Sequence, residues 1–311
     1  MTLTQLEYLV AVDTYRHFAT AASHCFVTQP TLSMQIQKLE EELGIKLFDR
    51  SKQPVIPTDA GIEIIEQARK ILQERNLISE IAQNKKGVLT GELRIGIIPT
   101  LAPYLLPLFA KSFNEKYPSV KLIVHEMMTE YIIRRLREGR IDAGLLVTPL
   151  QENGIKEEVL FYEELLVYVS PKNEAYKKKY VLAKDIEPQK LWLLEEGHCF
   201  RSQIVNLCEL KKASELSTQF EYEAGSIETL RRMVEMNDGI TIMPELSTLD
   251  MTADQQKLLR RFQSPAPARE VSMVVHRDFM KKRLKQALKE EIIAAVPEKL
   301  KKKKAQTIVP V

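Results

Sequence analysis

The stretch from Thr28 to Gly44 encodes a helix together with both of its ends. It opens at Thr28, and Pro30 sits in the first turn, where a missing N–H costs nothing. It runs to Leu43, and Gly44 follows as a C-terminal stop. At 3.6 residues per turn Leu32, Ile36, Leu39 and Leu43 fall within about 60° of one another and form the buried stripe. The opposite side carries Pro30, Thr31, Ser33, Met34, Gln37 and Lys38. Upstream, Thr4-Gln5-Leu6-Glu7 reads as a capping box that opens a first helix, and Thr20 to His24 fits a short second one. Downstream, Leu47-Phe48-Asp49-Arg50 and Val55-Ile56-Pro57-Thr58 read as two short strands. Three helices with a tight second-to-third turn, then a small hairpin, make a winged helix-turn-helix. Cys25, between the second and third helices, is expected to be a small buried hydrophobe.

Asp59 to Lys86 reads as one long helix. Its small or apolar residues at Gly61, Ile64/Ile65, Ala68, Ile71/Leu72, Ile78 and Ile81/Ala82 run near the 3.5-residue repeat of a coiled-coil seam, interrupted at Arg75. A helix of this length and pattern is expected to serve as a dimerisation linker, the other reading being a helix packed on its own chain.

After Gly87 strands alternate with amphipathic helices. Leu93–Ile98, Val120–Glu126 and Ala143–Val147 are expected strands, and Ala102–Tyr117 and Glu130–Glu138 expected helices. That βαβαβ order predicts a parallel sheet with right-handed crossovers. A second α/β unit is expected from about 160 to 265. Val271–His276 then returns to the first unit as a strand, and Lys281–Ala295 closes it as a helix. Two lobes joined by crossing strands form a cleft suited to a small effector. The basic run Lys299 to Lys304 reads as a solvated tail.

Composition narrows the classes. A chain of 311 residues, 44% hydrophobic and 28% charged, suits two or three globular domains. There is no apolar run of the length that spans a bilayer, and the N-terminus lacks the features of a signal peptide, so a cytoplasmic protein without membrane partners is expected. The 3 cysteines are too few, and odd in number, for a disulfide framework. Residues 1–58 hold five Lys/Arg against six Asp/Glu, so a DNA reader must be argued from pattern and not from basic charge. No Gly-rich phosphate loop, Ser-His-Asp order or HExxH occurs, and neither a cofactor nor an enzymatic activity is expected.

Ala21-Ala22, Thr28-Gln29-Pro30-Thr31-Leu32-Ser33, Lys38-Leu39-Glu40-Glu41-Glu42-Leu43-Gly44, Leu47-Phe48-Asp49-Arg50 and Pro57-Thr58-Asp59-Ala60-Gly61 together resemble the LysR-type transcriptional regulators over nearly the whole chain. The resemblance implies an α/β protein. Residues 1–58 would be the winged helix-turn-helix DNA-binding domain and 59–87 the linker helix. Residues 88–311 would be a two-lobed regulatory domain of periplasmic-binding-protein type, with lobe I at about 88–160 and 266–297, lobe II at about 161–265, and a basic tail from 298. The third helix would enter the major groove of promoter DNA, with Gln29, Pro30, Thr31, Ser33 and Gln37 at the bases and Arg50 and Thr58 on phosphates. A homodimer or homotetramer acting with RNA polymerase is implied.

Within that family, Leu193 to Gln203 with Cys208 beyond resembles the members that sense hydrogen peroxide, through Gly197-His198-Cys199 above all. Ser202 departs from the pattern, which has Asp there. The resemblance implies that Thr100, Thr129, His198 and Arg269, or Arg277 in place of the last, surround the peroxide. Cys199 would be the reactive thiol and Cys208 its resolving partner, reset by a thiol reductant. Hydroxyl donors and a guanidinium suit charge developing on a leaving oxygen, and His198 and Arg201 lie near the thiol in sequence. If residues 199 to 208 form a helix, nine steps of about 1.5 Å separate the two Cα atoms by roughly 13–14 Å. A disulfide needs them within about 7 Å, so oxidation would unwind the segment and act as a two-state switch. Three alternatives stay open. One is a regulator sensing a metabolite between the lobes, another a thiol peroxidase with an appended DNA domain. The third is a zinc site on His198, Cys199 and Cys208, which lacks paired CxxC spacing.

Overall fold

A computed structural model describes residues 1–84, 89–187, 190–195, 199–208, 224–277, 279, 281–301 and 306–309. They form two compact units, Met1–Thr90 with Arg137–Arg140, and Gly91–Leu136 with Ile141–Val311.

The first unit comprises α1 (Leu3–Tyr15), α2 (Phe18–His24), α3 (Gln29–Leu43), the antiparallel strands β1 (Phe48–Asp49) and β2 (Ile56–Pro57), and α4 (Asp59–Asn84). In α3 the Thr28 hydroxyl caps the helix by accepting from the Thr31 N–H, and Gly44 ends it at φ 70°, a left-handed conformation that costs glycine little. Leu32, Ile36 and Leu39 pack with Leu6, Leu9, Val12, Ala21 and Leu47. Leu43, expected in this stripe, falls in the final turn outside that cluster and is exposed.

The capping box of α1 also differs from expectation. It pairs Thr2 with Gln5 rather than Thr4 with Glu7. Both pairs satisfy the spacing, but the earlier one lengthens the helix and leaves Glu7 free to meet Arg75 of α4 at 2.5 Å. The first half of α4 is in fact occupied with its own domain. Ile65 and Ala68 join the α1–α3 core, and Arg69 reaches the buried Asp13 at 2.6 Å. A Cβ at Gly61 would stand 2.1 Å from the Leu47 carbonyl oxygen, so only glycine permits this approach of α4 to the wing. Further along, Ile78 is 70% exposed, so the seam is spent on the fold at its start and free at Ile78.

In the second unit β3 (Gly91–Ile97), α5 (Ala102–Lys116), β4 (Val120–Glu126), α6 (Thr129–Arg137) and β5 (Ala143–Thr148) follow the predicted βαβαβ order, with β3 parallel to both β4 and β5. The long strand β6 (Ile155–Val169) serves two sheets. Through Glu164 it pairs antiparallel with β10 (Ala266–His276), which continues antiparallel to β5. From Leu165 it pairs instead with β8 (Ile240–Pro244) and β9 (Leu259–Phe262), the latter flanked by β7 (Tyr180–Val181). Helices α7 (Cys199–Leu207) and α8 (Ile227–Met236) contribute to the core of this second sheet, and the short α9 (Ala253–Gln256) precedes β9. The closing helix α10 (Lys282–Ala295) faces α5.

The C-terminal residues are not simply a solvated tail. Helix α11 (Glu298–Lys301) buries Leu300, and Lys299 pairs with the buried Glu245 at 3.0 Å. Strand β11 (Gln306–Ile308) pairs parallel with β10, and Val309 enters the α7 core while its carbonyl accepts from Gln203 at 2.8 Å. The apolar residues flanking the lysines are what the charge pattern concealed. No helix among the described residues is long and apolar enough to cross a membrane.

Candidate functional site

Cys199 is the first residue of α7 and Cys208 follows its last turn, its N–H still bonded to the Ile204 carbonyl at 3.0 Å. Both thiols are free and half-buried. The condition on the distance argument is therefore met: helical rise separates their Cα atoms by roughly 14 Å. Two sulfurs so placed cannot share one metal ion, which removes the zinc arrangement that used both. Burial among the apolar residues of the second sheet pushes the Cys208 thiol up to about 11, so it is protonated at neutral pH.

Thr129, the first residue of α6, lies with its hydroxyl oxygen 3.1 Å from Cys199 Sγ. When the cysteine is a thiolate, that hydroxyl is the donor. Arg269 on β10 stands directly across from Glu163 on β6, and both are fully buried. Its Nε donates to Glu163 Oε1 at 2.7 Å, one terminal nitrogen donates to Thr100 Oγ1 at 2.9 Å, and the other to the Thr100 carbonyl at 3.1 Å. The Phe200 ring lies beneath the guanidinium, 5.2 Å from centroid to Cζ, so the residue after Cys199 docks the first turn of α7 on Arg269. With an acceptor lone pair of Thr100 filled by the arginine, its own O–H is left to donate elsewhere.

Of the expected peroxide residues, Thr129 meets Cys199 directly, while Thr100 and Arg269 are brought together and touch α7 through Phe200. Arg277 is exposed in the turn after β10, which favours Arg269. His198 lies outside the described residues. Arg201 turns to the Leu194 carbonyl at 2.8 Å, and Ser202 is exposed on the outer face of α7. Sequence reasoning missed Glu163 and Phe200. A carboxylate between Leu160-Phe161 and Leu165-Leu166, in a strand buried along that stretch, is the signal that would have found Glu163.

In the first unit Gln29, Pro30 and Gln37 are exposed on α3, with Thr31 and Ser33 half-buried beside them. Arg50 is held in place: its guanidinium lies 4.9 Å from the Phe18 ring centroid and donates to Ser33 Oγ at 3.1 Å and Glu40 Oε2 at 3.3 Å. The buried Glu40 also accepts from the N–H groups of Leu47 and Phe48 at 2.9 and 3.4 Å, tying α3 to β1. The Thr58 hydroxyl is committed to the fold, donating to the Lys46 carbonyl at 2.7 Å and accepting from the Gly61 N–H at 3.0 Å. Cys25 is half-buried against the core, which raises its pKa chiefly by desolvation, as a packing residue would show.

A winged helix-turn-helix and an α/β unit with a built thiol site, carried on one chain, define a DNA-binding regulator with its own sensor domain. Residues 3–62 match the family described as bacterial regulatory helix-turn-helix protein, lysR family, and residues 86–296 match the LysR substrate binding domain. The chain belongs to the LysR family, whose members are transcription regulators and not enzymes. It is 37% identical to the hydrogen peroxide-inducible genes activator of Haemophilus influenzae, over 88% of this chain and 90% of that one. Among solved structures it resembles a full-length OxyR cysteine-to-aspartate mutant from Pseudomonas aeruginosa, with a TM-score of 0.80 and 32% identity over 95% of this chain and 99% of the other. It also resembles a Corynebacterium glutamicum OxyR mutant with hydrogen peroxide bound, with a TM-score of 0.62 and 29% identity over 94% and 92% of the two chains.

Proposed function

We propose that this protein senses hydrogen peroxide through a reversible Cys199–Cys208 disulfide and controls oxidative-stress defence genes. The observation that carries the reading is the placement of Thr129 Oγ1 3.1 Å from Cys199 Sγ, at one end of a helix whose other end holds a second free thiol. Peroxide oxidises the Cys199 thiolate to a sulfenic acid, releasing its second oxygen as water after protonation. The Cys208 thiol then condenses with the sulfenic acid, forming the S–S bond and a second water. Thr100, Thr129, His198 and Arg269 form the peroxide site, with the Arg269–Thr100 pair supplying donors to the leaving oxygen. Burial disfavours the Cys208 thiolate while α7 is folded, so the resolving thiol becomes more reactive once the helix opens. The helix must open because its ends are about twice as far apart as a disulfide spans.

The unwound segment gives up the packing of Phe200, Gln203 and Ile204, and that difference between states is what alters the assembly on DNA. Promoter DNA, a homodimer or homotetramer built through α4, RNA polymerase, and a cytoplasmic thiol reductant are the partners this reading requires. Residues Gln29, Pro30, Thr31, Ser33 and Gln37 face the bases, and Arg50 orients the wing toward phosphates. The test is mass spectrometry of alkylated peptides before and after stoichiometric peroxide. A linked Cys199–Cys208 peptide appearing only after treatment supports the proposal. Cys199 over-oxidised with Cys208 still alkylatable sinks it.

A further inference from the structure

Two large apolar side chains of the helix-turn-helix, one on α3 and one in the turn before it, stand in water. Met34 is 48% exposed, and at 100° per residue it lies about 160° around the helix from both Leu32 and Ile36, opposite the buried stripe. Pro30, one turn earlier, is exposed on the same face. Phe26 is 95% exposed, two residues before the cap Thr28, and adopts φ 56°. A bulky residue rarely takes this left-handed conformation, and here no burial offsets it. Its N–H bonds the Ser23 carbonyl, so the ring belongs to the rigid turn between α2 and α3. Polar Thr31 and Gln37, each about 60° around the helix from Met34, flank the face, and the family match to a regulatory helix-turn-helix makes duplex DNA its occupant.

We propose that Met34 and Phe26 form an apolar contact on the DNA-reading face of α3 that recognises thymine through its C5-methyl group. In the major groove that methyl is the one apolar feature of the base-pair edges, so apolar side chains there discriminate thymine by contact and not by hydrogen bonds. The proposal rests on the reading that α3 enters the major groove. It adds a class of base that the polar residues on that helix do not specify.

The test uses the full-length protein and a short duplex recovered with it from a randomised pool. Each thymine is replaced in turn by deoxyuridine, which removes only the methyl. At one or more positions the replacement weakens wild-type binding about fourfold, the effect of one methyl-sized burial. With Met34→Ala or Phe26→Asn the corresponding penalty disappears. The slope of log affinity against log salt stays the same, because no phosphate contact is lost. Alanine favours the exposed helix and asparagine tolerates the left-handed turn, so both variants keep their melting temperature or gain. Undiminished deoxyuridine penalties in both variants, or no thymine sensitive in the wild type, overturn the proposal while leaving α3 as the reader. Failure of the wild type to enrich any duplex overturns the reading of α3 itself, and this contact with it.

Discussion

If oxidation unwinds α7, loosening that helix in the reduced state must make the disulfide harder to reduce. Ile204 is the sharpest probe, since it is fully buried in the middle of α7 and its side chain carries no group that takes part in the thiol chemistry. Ile204→Val removes one buried methylene-sized group and costs the packed state about 0.5–1.5 kcal/mol, and Ile204→Ala about 2–5 kcal/mol. An unwound α7 no longer makes this contact, so the cost falls on the reduced form alone. For a two-electron couple about 1.4 kcal/mol corresponds to ~30 mV. The midpoint should therefore become more negative by about 10–30 mV for valine and about 40–110 mV for alanine. The assay is equilibration in glutathione buffers of graded ratio, acid quenching and alkylation, with Trp192, the single tryptophan, as a fluorescence report. If the reduced protein loses thermal stability by the expected amount while the midpoint stays put, Ile204 is packed equally in both states. The unwinding argument then fails.

Three further outcomes follow from the same geometry. Thr129→Val keeps shape but removes the hydroxyl beside Cys199 Sγ; a hydrogen bond to a charged group is worth about 1.5–3 kcal/mol, so rapid-quench peroxide oxidation should slow roughly ten- to a hundredfold. Glu40→Ala strips the acceptor from the Leu47 and Phe48 N–H groups and should cost about 2–5 kcal/mol, seen as a large drop in melting temperature that Glu40→Gln mostly avoids. Because folding raises the Cys208 pKa from 9.0 to about 11, its stabilising share is complete below pH 9 and is lost as pH rises toward 11, where the unfolded thiol ionises first. Alkylation of reduced Cys208 should accordingly keep accelerating past pH 9 in the native protein and level off near pH 9 in urea, and a native profile already flat at pH 9 would contradict the burial argument.

Local chemistry was legible wherever a contact partner lay within a few residues. The cap Thr28, Pro30 in the first turn, the Leu32–Ile36–Leu39 stripe and the stop at Gly44 needed only helical geometry, and all appear as expected. The βαβαβ order was equally local, because period and turn residues announce strand and helix in succession. The pairing of the two thiols came only from the family resemblance around Cys199, whereas their separation followed from helical rise once those residues proved helical. The capping box went wrong within the same local rules, since two overlapping pairs satisfied them and the longer helix won.

What lay beyond the sequence was the choice of side-chain partners across long separations. That Glu163 would face Arg269 depends on the register of β6 against β10, more than a hundred residues apart, and nothing local sets it. The same holds for Phe200 beneath that arginine, for Val309 bonded to Gln203, and for Arg69 drawn to Asp13, which turned half of a supposed seam inward. Spacing and side-chain type are written along one dimension, and they determined which elements form and which residues could react. Burial and partnership arise only when distant segments share one volume, and the tertiary structure alone decided which charge met which.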